Sequence, residues 1–393
     1  GINATIRGVC KTAINYYGME VIGIHSGFQG LLTKEVELIT DKSLSGLLNL
    51  GGTILGTSRE KPFKKGGVVA ENVNKPALIE QNIKEMGLDC IVCIGGNGTQ
   101  KTAAKFAAMG LNIVSVPKTI DNDLVGIDHS PGFGSAAKYI ALAVKNVAYD
   151  TSIYSIKSVH IIEAMGRNAG WLTAASALAR DGDSVAPHLI YLPEIPFSVD
   201  KFVDDVKGKL DEYNSVIVVV SEGIKDENGE YISARGDNVD KFGHVMLSGT
   251  GAYLKSVVEE RIGCKVRALE PSVLQRSAGH TASMTDVTEA YNLGVVAVKA
   301  ALDGKTGVFS TLRRISDLPY TVDYYTEQVS VVANNEKLVP RSWINEQGND
   351  VTNKMIEYLS PLVKGVPQVP YRNGLPDYIG LSHLDVKKQK YSD

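Results

Sequence analysis

Short β-branched runs alternate with helix-period stretches along most of this chain. Residues 21–25 (VIGIH), 88–94 (LDCIVCI), 111–116 (LNIVSV), 159–163 (VHIIE) and 215–222 (SVIVVVSE) are largely apolar at successive positions. Such runs predict strands buried on both faces. Residues 99–108 and 134–148 carry apolar positions at helical spacing. Buried strands separated by helices predict parallel sheets covered on both sides, an α/β fold. Residues 51–60 (GGTILGTSRE) read as a further strand-like piece ending at Arg59. Residues 1–7 (GINATIR) read as a glycine turn entering a helix, with a strand expected upstream of it. Residues 225–240 are polar and turn-rich, which predicts a surface loop. Beyond about residue 361 the chain is rich in Pro, Gly, Tyr and Lys and reads as an irregular tail.

Length and charge narrow the function. A chain of 393 residues sets a prior of two or three domains. A formal charge of −3 lacks the basic excess of an electrostatic nucleic-acid binder. No apolar run approaches the roughly 18 residues of a membrane span, and no signal peptide is visible. Four cysteines make no disulfide framework in a chain this long. Cys90 and Cys93 form a C-x-x-C inside an apolar strand and read as buried thiols. The expectation is a cytoplasmic protein with no nucleic-acid or membrane partner.

Chemistry concentrates where strands end. Residues 89–105 run from an apolar strand through Gly95-Gly96-Asn97-Gly98-Thr99 into a helix. Glycines let backbone N–H groups approach an anion, and a helix N-terminus favours one, so this reads as a phosphate cradle. Gln100 excludes the P-loop motif, which needs a glycine there. Residues 116–124 (VPKTIDNDL) crowd Lys118, Thr119, Asp121 and Asp123 into a loop. In extended backbone Asp121 and Asp123 share a side. One carboxylate is then placed to accept a proton from an attacking hydroxyl, and the other to hold Mg2+. Lys118 supplies a positive point charge for phosphate, and Arg59 suits a bidentate phosphate clamp. Arg167 lies in a strand–Gly–helix segment (EAMGRNAGWL), and Glu222 follows an apolar strand. Arg267 and Arg276 are near enough in sequence to share a cationic pocket.

Taken together, GINATIRG (1–8), GFQGL (27–31), GGTILGTSR (51–59), GGNGT (95–99), PKTIDND (117–123), EAMGR (163–167), Glu222 and residues 267–276 resemble the 6-phosphofructokinase family, in family order over about residues 1–320. The resemblance implies two αβα (Rossmann-like) domains, with the active site in the cleft between them. It implies a donor-binding domain of residues 1–130 plus about 277–320, a fructose 6-phosphate domain of 131–276, and a C-terminal extension of 321–393 packed on both. On the matching positions, Asp121 is the base for the 1-hydroxyl of fructose 6-phosphate, and Thr119 and Asp123 position phosphate and Mg2+. Arg59 lies along the transferring phosphoryl group, Gly96–Thr99 cradle the donor beside Lys118, and Phe28 stacks on adenine. Thr119, Ile120, Asp121, Met165, Gly166, Arg167, Glu222, Arg267 and Arg276 hold the sugar phosphate. A homodimer or homotetramer is implied, with Arg267 lent by a neighbour.

Departures from the family pattern bear on the donor and the pocket. Asn97 replaces an Asp that helps bind Mg2+ in the ATP-using branch, which leaves a weaker metal ligand. Ser158 replaces a cationic residue, and Val273 a histidine or tyrosine. Gly98 leaves room for the α-phosphate of ATP, whereas Lys118 is typical of pyrophosphate users. Steric room is the harder constraint, so the reading favours ATP, with pyrophosphate as the alternative. A catalytically silent sugar-phosphate sensor, and a kinase of the NAD or lipid type, are the readings from other classes.

Overall fold

A computed structural model describes residues 1–233, 249–332 and 335–378. In chain order its helices are α1 (Ile2–Tyr17), α2 (Phe28–Thr33), α3 (Lys75–Glu85), α4 (Asn97–Ala108), α5 (Phe133–Ser152), α6 (Trp171–Ala175), α7 (Val199–Glu212), α8 (Thr250–Arg261), α9 (Leu274–Ser277), α10 (Met284–Leu302) and α11 (Asn353–Leu359). Its strands are β1 (Val21–Ile24), β2 (Val36–Ile39), β3 (Ile91–Gly95), β4 (Ile113–Pro117), β5 (Ser158–Ala164), β6 (Leu189–Tyr191), β7 (Ser215–Ser221), β8 (Lys265–Leu269), β9 (Val308–Asp317) and β10 (Tyr320–Gln328), followed by a two-residue hairpin at 371–376.

Two four-stranded sheets organise the molecule. One has the order β10-β9-β4-β3 and the other β6-β7-β5-β8. The second is parallel throughout, and in the first only the β9–β10 pair is antiparallel. β3, β4, β5 and β7 read as largely apolar runs because helices cover both faces. Val159, Ile161, Val216, Val218 and Val220 pack one face of the second sheet against Phe202, Val206 and Leu254 of α7 and α8. Ile162, Ala164, Ile217 and Val219 fill the other face, with Ile140 and Val144 of α5. Another core joins Phe133, Trp171 and Leu172 to Met355, Leu359 and Leu362 near the end of the described chain. Burying large side chains of this kind stabilises the assembly by about 1.5–3 kcal/mol each.

Several expectations need correction. Residues 21–24 form a strand, but it pairs antiparallel with β2 in a separate two-stranded sheet and joins neither parallel sheet. Residues 51–60 are irregular rather than strand-like, since Gly52 and Gly56 take φ of 70° and 67°. Residues 265–269, to which the sequence pattern assigned no element, are the edge strand β8, half-exposed in an alternating pattern. The β9–β10 hairpin escaped the sequence reading. It carries the first sheet across residue 320, so β10 belongs to that sheet. Of the expected loop at 225–240, residues 225–233 form turns closed by a Lys225–Tyr231 bridge. Residues 234–240 and the tail from 379 lie outside the described residues. Cys93 is buried and Cys90 partly so, both free, and burial pushes the Cys93 thiol up to about 12. Among the described residues no helix is long and apolar enough to cross a membrane.

Candidate active site

The C-terminal ends of β3 and β4 present two loops side by side. β3 ends at Gly95, Gly96 precedes α4 in extended conformation, and Asn97, Gly98 and Thr99 form the first turn of that helix. A side chain at Gly98 would meet nothing within 4 Å, so the backbone there is open. The amide of Lys118 donates to Gly95 O at 2.9 Å. Gln100, fully buried, donates from Nε2 to Gly95 O at 3.0 Å and Val116 O at 3.2 Å. Its Oε1 accepts from Ser115 Oγ at 2.6 Å. The residue that excludes a P-loop thus clamps the two loops together. The sequence offers a weak signal for it, a polar side chain in the first turn beside a strand of small and apolar residues.

In the second loop Asp121 N donates to Thr119 Oγ1 at 3.1 Å, and Thr119 also hydrogen-bonds Asp123. The run is not extended, as the spacing argument assumed. Asn122 sits at φ 54°, a left-handed conformation that Asn tolerates better than most residues. The two carboxylates still feel each other. Burial pushes the Asp121 carboxyl up to about 7, with Asp123 and Glu222 adding to the rise and Lys118 and Arg167 opposing it. Burial also raises Asp123. The Lys118 ammonium is lowered by burial, opposed by Asp121 and aided by Arg276. Ile120 packs partly buried against the Phe133–Trp171 core.

The second sheet closes the site from the other side. β5 and β7 are in register with Ala164 opposite Ser221, so Met165 and Glu222 leave the sheet together. Glu222 N donates to Ala164 O at 3.0 Å, and Gly166 N donates to Glu222 Oε1 at 3.2 Å. Gly166 takes φ 134°, and a Cβ there would lie 2.5 Å from Ala169 O. Only glycine fits that turn. Met165 N donates to the buried Gln275 Oε1 at 3.0 Å, which brings the neighbouring Arg276 to the loop. Sequence reasoning missed Gln275. The Glu163 carboxylate accepts from Gly251 N at 2.7 Å at the start of α8, and burial pushes it up to about 7, with Glu270 and Glu222 adding to the rise.

Lys118, Thr119, Ile120, Asp121, Asp123, Met165, Gly166, Arg167, Glu222 and Arg276 are therefore brought together, and Gly96–Thr99 adjoin them. Arg59 is exposed on a loop anchored at either side of it. Ser58 Oγ donates to Ser26 O at 2.7 Å, and the buried Glu60 pairs with Lys75. The Phe28 ring is partly buried, 5.8 Å from the Phe106 ring. Arg267 stands apart: on β8 it is half-exposed and 3.5 Å from Asp150. Ser158 is buried at the opposite end of β5 from Met165, with Lys265 as its register partner. Val273 is exposed.

The residues present fit a Mg2+ ion that arrives with phosphates. Asn97 Oδ1 is a buried acceptor with no partner in the protein. Asp123 offers a carboxylate at the neighbouring loop. Among the described residues no three His, Cys, Asp or Glu cluster as an all-protein cage. Mg2+ ordinarily takes one or two protein oxygens and completes its shell with water and phosphate.

The chain is similar to known proteins over most of its length. The chain is 64% identical over 225 residues to ATP-dependent 6-phosphofructokinase 3 of Bacteroides thetaiotaomicron, a match covering 57% of this chain and 65% of that protein. It is 36% identical to the pyrophosphate–fructose 6-phosphate 1-phosphotransferase of Xanthomonas campestris, covering 99% of this chain and 94% of that one. Among solved structures, the pyrophosphate-dependent phosphofructokinase of Nitrosospira multiformis superposes with a TM-score of 0.85 at 33% identity, over 96% of this chain and 92% of that one. Since residues 1–301 match the family described as Phosphofructokinase and carry both site loops, this chain belongs to the phosphofructokinase family.

Proposed function

We propose that this chain is a 6-phosphofructokinase that transfers a phosphoryl group from ATP to the 1-hydroxyl of D-fructose 6-phosphate. The observation that carries this is the position of Asp121: a carboxyl pushed up to about 7 between Lys118, Arg167, Asp123 and Glu222, where the strand ends of both sheets converge. A general base works best with a pKa near the operating pH. The sugar O1 attacks the terminal phosphorus of the donor, its proton passes to the Asp121 carboxylate, and the bond to the ADP oxygen breaks. In-line transfer needs placement and charge neutralisation more than covalent chemistry. Lys118 and Arg59 neutralise donor charge, Gly96–Thr99 and Phe28 hold the donor, and Thr119 fixes the loop. Asp123, with Asn97 as a weaker partner, would hold Mg2+, which would supply further neutralisation. Ile120, Met165, Gly166, Arg167, Glu222 and Arg276 hold the sugar phosphate, and Arg267 serves the pocket of a neighbouring subunit in a cytoplasmic homodimer or homotetramer. Residues 1–130 with about 277–328, which takes in β10, form the donor domain, 131–276 the sugar domain, and the residues that follow an extension.

The open backbone at Gly98 supports ATP. The second reading is pyrophosphate, favoured by Lys118 and by the pyrophosphate-dependent relatives. Initial rates of fructose 1,6-bisphosphate formation, measured with ATP and with pyrophosphate in separate Mg2+-containing reactions, decide between them. Turnover with pyrophosphate alone overturns the donor assignment. Binding of fructose 6-phosphate without turnover on either donor leaves the silent sensor.

A further inference from the structure

Beyond the residues that match the family, the chain returns to the catalytic loop. Glu336 bridges antiparallel to Leu124, and Lys337 N donates to Asp123 O at 2.8 Å. The Lys337 ammonium donates to Asn122 Oδ1 at 3.1 Å, Asp128 O at 2.5 Å and Ile127 O at 3.3 Å. It also lies 5.2 Å from the centre of the Trp171 ring, whose Nε1 donates to Lys337 O at 2.7 Å. From α11, the Tyr358 hydroxyl accepts from Asn122 Nδ2 at 3.0 Å and donates to Asp128 O at 2.7 Å. Asn122 Oδ1 accepts a further bond from Ser130 N at 3.0 Å. Every polar group of this fully buried amide is thus engaged, and two of its three partners come from the C-terminal segment.

Asn122 is the left-handed residue between Asp121 and Asp123. Its φ fixes how the two carboxylates are aimed, and its side-chain hydrogen bonds go to Ser130, Lys337 and Tyr358. We infer that Lys337 and Tyr358 are positioning residues: they lock Asn122 in its left-handed state and so aim Asp121 at the acceptor hydroxyl and Asp123 at the metal. The segment beyond the matched family residues then has a function in turnover and is more than a cover for the core. This rests on the phosphofructokinase reading of the site.

The test compares wild type, Lys337→Met, Tyr358→Phe and the control Leu338→Ala, an exposed neighbour on the same strap. For each, kcat and the KM for fructose 6-phosphate are measured with the donor that wild type uses, together with thermal midpoint and far-UV circular dichroism. Misplacement of a reacting group by about 1 Å costs on the order of 100-fold in rate. Lys337→Met is expected to lower kcat about 10- to 100-fold and Tyr358→Phe about 3- to 10-fold, with KM within about twofold and a folded spectrum. Leu338→Ala is expected to behave as wild type. A kcat within twofold of wild type for both strap variants overturns the inference, as does a loss that merely tracks the unfolded fraction. Wild type inactive with both ATP and pyrophosphate defeats the reading of the site instead, so the two failures are distinguishable.

Discussion

The backbone amide of Lys118 donates to the carbonyl of Gly95 at 2.9 Å, so the loops after β3 and β4 are tied main chain to main chain. Neighbouring parallel strands end together here, at Gly95 and Pro117. Gln100 reinforces the tie from beneath with three buried hydrogen bonds. Gln100→Leu leaves Ser115 Oγ and two carbonyls without that partner, and an unsatisfied buried group costs about 1–3 kcal/mol. Urea unfolding should show a loss of that size, and kcat should fall with it as the loops drift apart. Unchanged values for both would remove Gln100 from the framework of the site.

Asp121→Asn should separate function from stability. A general base contributes roughly 10²- to 10⁴-fold, so kcat should fall by about that factor. Stability should move the other way. The folded-state pKa of Asp121 is raised from 3.8 to about 7, so the folded chain keeps a proton that the unfolded chain has lost between those values. The Asp121 contribution to stability therefore declines as pH rises through that window and stays low above it. Asparagine has no proton to lose. The variant should match wild type near pH 4 and exceed it by on the order of 1–3 kcal/mol at pH 8, as read by denaturant titration at both pH values.

The same group should set the acid limb of the rate profile. In the proposed mechanism the reactive form of Asp121 is the carboxylate, so kcat/KM should rise about tenfold per pH unit below about 7 and level off above. The limb should vanish in Asp121→Asn, leaving only residual turnover. A wild-type limb centred near pH 4 would mean that a different group carries the proton.

Gly98→Asp tests the donor. A Cβ at Gly98 meets nothing within 4 Å, so the variant should fold with an unchanged thermal midpoint. Its carboxylate would occupy the space assigned to the α-phosphate and repel it, so activity with ATP should be abolished. Retained ATP turnover, measured by ADP release, would show that this position does not gate donor choice.

Local pattern alone made much of the molecule legible. Apolar runs marked β3, β4, β5 and β7 because strands buried on both faces must be apolar at consecutive positions. Glycine clusters after β3 and β5 and the acidic PKTIDND segment marked the loops, since close anion approach and proton transfer demand those residue types wherever they occur. Neither the β9–β10 hairpin nor β8 was legible: β8, β10 and the second half of β9 alternate between exposed and less exposed residues, which gain strand character only from a neighbour to pair with. Tertiary structure also decided what the loops do. The high pKa of Asp121 depends on burial and on Glu222, about a hundred positions along the chain, and the left-handed turn of Asn122 on Lys337 and Tyr358, more than two hundred away. Residue type and spacing fix what a side chain is able to do; its dielectric surroundings and its distant partners, which only folding assembles, fix whether it is held ready to do it.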